Sequence, residues 1–471
     1  ADEDQPVVHV LDLDNIVNGM YEEVATLNVD KTGLGVMATE TELATVMLRD
    51  RSDTTTEGKI SFMRPGLEAV GLPHHDYAGH VQKTTPVSLP YSMTGWRPTH
   101  VESSEGFIAV FMDGAPPTHS SSAVFVKESE VVASTQSTPT EIEVPVEGAH
   151  HGVALALDED RFLLTVTTEG DILPDNFIVA DETGAVTHRL GSTENPLCLD
   201  YHGAAHVGHD MLFGCSDVGL LSVSYDHASK TPSWKLVPFP QPVVGDKTFR
   251  SGTVRGHESG GIFAADLREV VPYGQPVPPP FFVVPVATGA STVSADHLVE
   301  ANRSATEMTH CTFTLDRGLH DEGVMLLVLH SDGYLQVVPV SSAGVPAAAK
   351  YVKINETMDC DMAQVVTGHK LAYILIGGGT QTRGIYTVDL EEVAEGHMDH
   401  AVTHMPLSFA PGGRGVALAL PPGLACSHSH SSTTTTTEAP VSGAVVPAPA
   451  FVLVLLNVAM MLLSASKAAP L

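Results

Sequence analysis

Residues 148–170 read GAHHGVALALDEDRFLLTVTTEG. Two adjacent histidines and a glycine lead into an apolar run, then an acidic turn, then a second apolar run that ends on Thr-Thr-Glu-Gly, which is the grammar of strand, turn and strand. The grammar recurs in GFIAVFMDG (106–114), DMLFGCSDVG (210–219), VMLLVLHSDG (324–333) and LAYILIGGG (371–379), with nothing helical of any length between. The histidines ahead of these runs, His100, His151, His202, His257 and His310, stand 51, 51, 55 and 53 residues apart. A period of roughly fifty residues with several short strands per unit predicts an all-β chain folded as a single β-propeller of four-stranded blades. Residues 1–425 would hold about seven blades, with VVHVLDL (7–13) closing the ring by pairing with the last one.

Composition agrees. Forty-one glycines, 32 prolines and only 6% aromatic residues suit short strands and turns better than long helices. With 56 acidic against 24 basic side chains the formal charge is −32. Such a surface repels nucleic acid and anionic headgroups and favours cationic partners, metal ions included. Histidine, at 24 residues, is as frequent as Lys and Arg together, and imidazole is the commonest metal-binding side chain near neutral pH.

Equivalent positions in successive blades lie at equal radius, so histidines at the entrance of each innermost strand meet near the axis. RPTH100, AHH151G and DYH202G each place an imidazole at such an entrance. Three imidazoles plus a carboxylate or water is the donor set Zn²⁺ accepts, at N distances of about 2.0–2.1 Å. His257, in RGH257ESG with Glu258 beside it, is the candidate fourth ligand; His150 is the alternative to His151, because neighbours along a strand face opposite sides. The competing reading is structural: WD-type propellers use a Gly-His pair in each blade as a hydrogen-bonding device, and Gly-His occurs here at Gly208, Gly256 and Gly368. His310 precedes Cys311 and is left out of the site.

The chain starts at Ala1, as a mature product would after signal-peptide removal. After a Ser/Thr/Pro-rich stalk at 426–443 comes a tail, 444–471, whose residues 444–465 carry no charge. The tail is expected to be either a single membrane-spanning helix or a GPI-anchor signal, so the propeller is expected to be extracellular and anchored to the cell surface. Sequons at Asn302 and Asn355 and five cysteines fit an oxidising, glycosylating compartment, with two disulfides and Cys426 left over; sequence does not fix their connectivity.

At residues 72–114, LPHHDYAGHVQKTTPVSLPYSMTGWRPTHVESSEGFIAVFMDG, the chain resembles the AztD-type zinc metallochaperones, extracytoplasmic β-propellers that hand zinc to the binding protein of an ABC transporter. The matching features are a His/Asp-rich loop within 73–86 (His74, His75, Asp76, His80), the R-P-x-H of Arg97, Pro98 and His100, and the F-x-D-G of Phe111, Asp113 and Gly114. AHHGVA at 149–154, His202-Gly203 and FGCSD at 213–217 follow in the same order. The resemblance implies Zn²⁺ as cargo, a loop that ferries it, and a zinc-receiving transporter or binding protein as partner. Two departures stand out: Ala204 follows His202-Gly203 where the family carries an acidic residue, and the apolar tail has no counterpart in a soluble family. Further His clusters, SHSH at 427–430 and HMDHAVTH at 397–404, read as solvated surface.

An enzyme is not expected. A zinc hydrolase would need a general base beside an open metal position, for which Glu147 or Glu258 is the candidate, but no nucleophile elbow, HExxH or phosphate-binding loop occurs. A metal-dependent hydrolase on a propeller scaffold is therefore the alternative, and a metal-free surface interaction module the third reading.

Overall fold

The computed structural model describes residues 7–12, 22–28, 33–38, 43–48, 57–70, 80–167, 173–192, 197–216, 219–239, 249–257, 260–270, 282–301, 310–317, 323–360, 363–368, 370–376, 383–407, 416–419 and 452–457. Among them, nearly every element is a strand, and eight antiparallel sheets of four or five strands follow one another around a ring. We number the blades from the N-terminal end.

Blade 3 shows why these residues make blades. Its strands are Pro98–Ser104, Phe107–Met112, Ser122–Lys127 and Glu141–Pro145, each paired with the next. The second strand, FIAVFM, is buried at all six positions. A strand covered on both faces by neighbouring blades has no use for polar alternation, so it reads as a continuous apolar run. The outer strand, EIEVP, has one fully buried residue. A two-residue hairpin, Glu105-Gly106, joins the first two strands with φ of 52° and 73°. Both values belong to a type I′ turn, whose twist matches that of the strands it connects.

Blades 4 and 5 begin with the innermost strands Ala154–Ala156 and Ala204–Val207, and blade 6 with Val254–His257, which pairs with Ile262–Glu269. The apolar core sits between blades. Phe107, Phe111 and Phe125 of blade 3 pack with Phe162, Leu164 and Ile178 of blade 4, and Leu163, Phe177 and Val179 of blade 4 pack with Phe213, Leu221 and Val223 of blade 5. Faces packing in this way wedge the blades into a ring whose inner wall is lined by the first strand of each.

Blade 1 closes the ring. It orders Glu22–Asn28, Val7–Asp12, Val452–Asn457 and Val416–Ala419, so the two ends of the chain share one sheet, as the N-terminal VVHVLDL predicts. Six residues of the apolar tail thus form a strand, and among the described residues no helix is long and apolar enough to cross a membrane.

The expected count of about seven blades differs from the eight sheets among the described residues. The difference lies in blade 2 (Gly33–Ala38, Ala44–Leu48, Gly58–Arg64, Val87–Gly95), whose fourth strand is pushed downstream by a separate hairpin, Leu67–Val70 with His80–Lys83. That insertion hides the blade from an interval count. The cysteines form Cys198–Cys215 across the hairpin of blade 5 and Cys311–Cys360 between blades 7 and 8.

Candidate metal centre

Three consecutive blades bring one histidine each to the same end of the channel. His100 is the third residue of its strand, paired with Phe111; His151 and His202 stand just before the innermost strands of blades 4 and 5. His100 Nε2 lies 3.1 Å from His151 Nε2, and the rings of His151 and His202 are 5.5 Å apart between centroids. Two nitrogens bound tetrahedrally to one Zn²⁺ at about 2.05 Å stand about 3.3 Å apart, so the His100–His151 spacing needs almost no change to take an ion. The full trio is more open. Among the described residues the group whose ligand atoms all lie within 4.8 Å of one another is a different one, Glu105, His209 and His227.

The surroundings orient each ring. Asp113, buried at the end of the second strand of blade 3, places Oδ2 3.2 Å from His151 Nδ1. A carboxylate only accepts, so Nδ1 carries the N–H and Nε2 keeps the lone pair that faces His100. His202 Nδ1 donates to the Gly252 carbonyl at 2.7 Å, which frees its Nε2 in the same way. Arg97, with φ 58°, turns the R-P-x-H segment so that its carbonyl accepts from the Asp113 N–H at 3.0 Å. Burial first, and the neighbouring His151 second, hold His100 down to about 3; burial also lowers His202. Both rings are therefore neutral at pH 7, the state in which imidazole binds metal.

His150 does something else. It is buried, with Nε2 3.2 Å from the Thr165 carbonyl and its backbone N–H donating to Ser121 Oγ at 2.9 Å, and burial lowers its pKa too. The alternation thus resolves as one structural imidazole facing the blade and one facing the channel. Gly152 follows because nothing larger fits: a Cβ there would meet Thr165 Oγ1 at 2.3 Å and Phe111 Cζ at 2.5 Å.

His257 is not brought to this cluster. The residue level with His202 is Gly252, whereas Gly256 lies level with the His206 carbonyl, so His257 closes the far end of its strand. Five residues of extended chain put it about 16 Å away along the channel. The repeat itself is kept, since Gly252 stands 50 residues past His202; His257, 55 residues past it, is a histidine at the wrong end of the inner strand and not the counterpart of His202. Of the loop expected to ferry metal, His74, His75 and Asp76 lie outside the described residues, and His80 opens the strand His80–Lys83, paired with Val70. The strands on either side of it, Leu67–Val70 and His80–Lys83, are paired with each other.

Sequence reasoning did not assign roles to Asp113 or the Gly252 carbonyl, and it missed Glu102, further along the channel wall from His100. Burial lifts the Glu102 carboxyl to about 7, against the pull of His206 and Arg255. The F-x-D-G ending was the one signal for Asp113, and it carries no hint of a partner 38 residues away.

No family model matches the chain. A stretch of 252 residues is 29% identical to the zinc chaperone AztD of Citrobacter koseri, covering 53% of this chain and 52% of that protein. The chain thus spans about half the length of the curated relative it matches. In three dimensions it superposes on apo AztD from Citrobacter koseri with a TM-score of 0.61 at 18% identity, over 87% of this chain and 97% of that one. A further crystal structure of Citrobacter koseri AztD gives 0.60 at 18% identity and the same coverage. These matches bear out the resemblance to the AztD type, and the superposition shows the fold.

Proposed function

We propose that the chain is a zinc-binding propeller that takes up Zn²⁺ on His100, His151 and His202 and sequesters it or hands it to a zinc-receiving binding protein or transporter. The observation that carries this reading is the 3.1 Å between His100 Nε2 and His151 Nε2, with Asp113 behind the His151 ring fixing the tautomer that leaves its Nε2 lone pair toward His100. The similarity to a protein named as a zinc chaperone supports the same cargo. Neutral imidazoles suit zinc, a borderline cation, better than Ca²⁺ or Mg²⁺, which prefer oxygen. His202 supplies the third nitrogen after a small inward shift, and water supplies the fourth position.

We place the ring outside the cytoplasm, as the disulfides Cys198–Cys215 and Cys311–Cys360 favour. Tethering through residues 444–471 belongs to the same proposal. A strand at Val452–Asn457 cannot pair in blade 1 and sit in a membrane at once, so the mass of the C-terminal peptide of the mature protein distinguishes a retained tail from a processed one.

The central test is the metal content of the full chain purified from zinc-containing medium, followed by competition with a chelator, for wild type and for H100A/H151A. The double variant is expected to lose the tight zinc. Unchanged affinity in that variant would remove the axial site from the reading.

A further inference from the structure

At the opposite end of the same inner strands, three hairpin turns converge. Glu105 sits in the type I′ turn of blade 3, five residues and about 16 Å past His100. His209 sits in the Gly208-His209 turn of blade 5, and His227 in the turn that joins Leu220–Asp226 to Thr231–Val237. His227 Nε2 is 2.7 Å from His209 Nδ1, and Glu105 Oε1 is 3.5 Å from that same nitrogen.

The three turns are stiffly built. The His209 carbonyl accepts from the Tyr225 N–H at 3.1 Å, and the Tyr225 hydroxyl donates to Asp158 Oδ2 at 2.8 Å. Asp226 accepts from the Ala228 N–H at 3.0 Å and the Ser229 hydroxyl at 2.7 Å, fixing the turn that carries His227. Glu105 holds a left-handed φ of 52°, a conformation that side chains other than Gly, Asn and Asp seldom adopt. Yet the side chains are open to solvent, His209 at 40% and Glu105 at 31%.

We propose that Glu105, His209 and His227 form a second, solvent-facing site for a divalent cation of the zinc class, at the mouth of the ring opposite the axial cluster and independent of it. Two imidazoles and one carboxylate are a three-ligand set that leaves the fourth tetrahedral position to water. All three ligand atoms lie within 4.8 Å of one another, and the carboxylate offsets part of the cation's charge. On binding, the N–H shared between the two rings moves to the far nitrogen of its own ring, and the nitrogens part from 2.7 Å to about 3.3 Å with the ion between them. A water-filled fourth position and exposed ligands make this a weaker, faster-exchanging site than the axial one.

The test is titration of the full chain with Co²⁺, whose visible absorption reports tetrahedral coordination, for wild type, E105Q, H209A/H227A and H100A/H151A. H209A/H227A is expected to bind one Co²⁺ fewer than wild type, and E105Q to weaken that ion by at least about tenfold, the low end of what changes one shell further out produce. H100A/H151A is expected to keep it, which separates failure of this site from failure of the axial one. Equal Co²⁺ stoichiometry and affinity in wild type and H209A/H227A would overturn the proposal; should that variant not fold, an unchanged affinity in E105Q overturns it instead.

Discussion

Replacing Asp113 with asparagine tests whether the channel histidines are held for metal. The carboxylate lies 3.2 Å from His151 Nδ1 and, being acceptor only, dictates the tautomer that leaves Nε2 free toward His100. Asparagine keeps the size and shape and offers either a carbonyl oxygen or an NH₂. If the carbonyl faces the ring, the tautomer survives and what is lost is the charge that strengthens the imidazole as a donor. If the NH₂ faces it, Nδ1 must accept, the proton moves to Nε2, and the ligand atom is blocked until the ring retautomerises. These limits bracket the expected loss of zinc affinity at about 10- to 100-fold, or about 1.4–2.7 kcal/mol. Chelator competition at pH 7.5 measures it directly, with H151A as the reference for complete loss of the ligand. Apo stability is read in parallel by urea unfolding, so that a loss of affinity is not confused with a loss of fold. A D113N variant that binds zinc within twofold of wild type, while H151A does not, would refute the orienting role.

Three further outcomes follow from the same geometry. Gly152→Ala forces a methyl against Thr165 Oγ1 and Phe111 at under 3 Å and should destabilise the apo protein by about 1–3 kcal/mol in urea unfolding, whereas no change would mean that the turn relaxes freely. The depressed His100 and His202 give apo stability that is full above the ordinary imidazole value of about 6.5 and drains as pH falls toward 3; at pH 5 His100 alone should account for up to about 2 kcal/mol, read as a shallower pH slope in His100→Gln, and parallel slopes would refute it. Changing His74, His75, Asp76 and His80 to alanine should leave the axial zinc in place and slow its single-turnover loss to a chelator; equal rates would reduce the His/Asp-rich loop to a linker.

The interval between histidines read three blades correctly because blades 3, 4 and 5 have uniform length, so His100, His151 and His202 recur at 51 residues and arrive at one level. The count fails twice: at blade 6, where the position level with His202 is Gly252 and the next histidine, His257, belongs to the far end of the strand, and within blade 2, where an inserted hairpin separates strands that belong together. Composition cannot show such insertions, since inserted strands use the same Val, Thr and Gly as blade strands. The apolar run 444–465 has the hydropathy of a membrane segment, and the strand at Val452–Asn457 uses the same residues, because a strand paired on both edges selects for the same letters as lipid does. The Asp113–His151 contact was illegible for another reason. It joins two blades, and each residue taken alone sits in an ordinary strand-end context.

The three channel histidines come from consecutive blades of a ring that has eight such sheets among the described residues, and each sheet then occupies about 45° of the circle. They therefore fill one sector of the channel mouth, and an ion seated on them would be gripped from a single flank. Its other flank would face open channel, along which a ligand from another molecule can approach and enter the coordination shell before any imidazole has left. Handover through such a shared shell never strands a bare cation between two proteins. A site that surrounded the ion evenly would have to release it first.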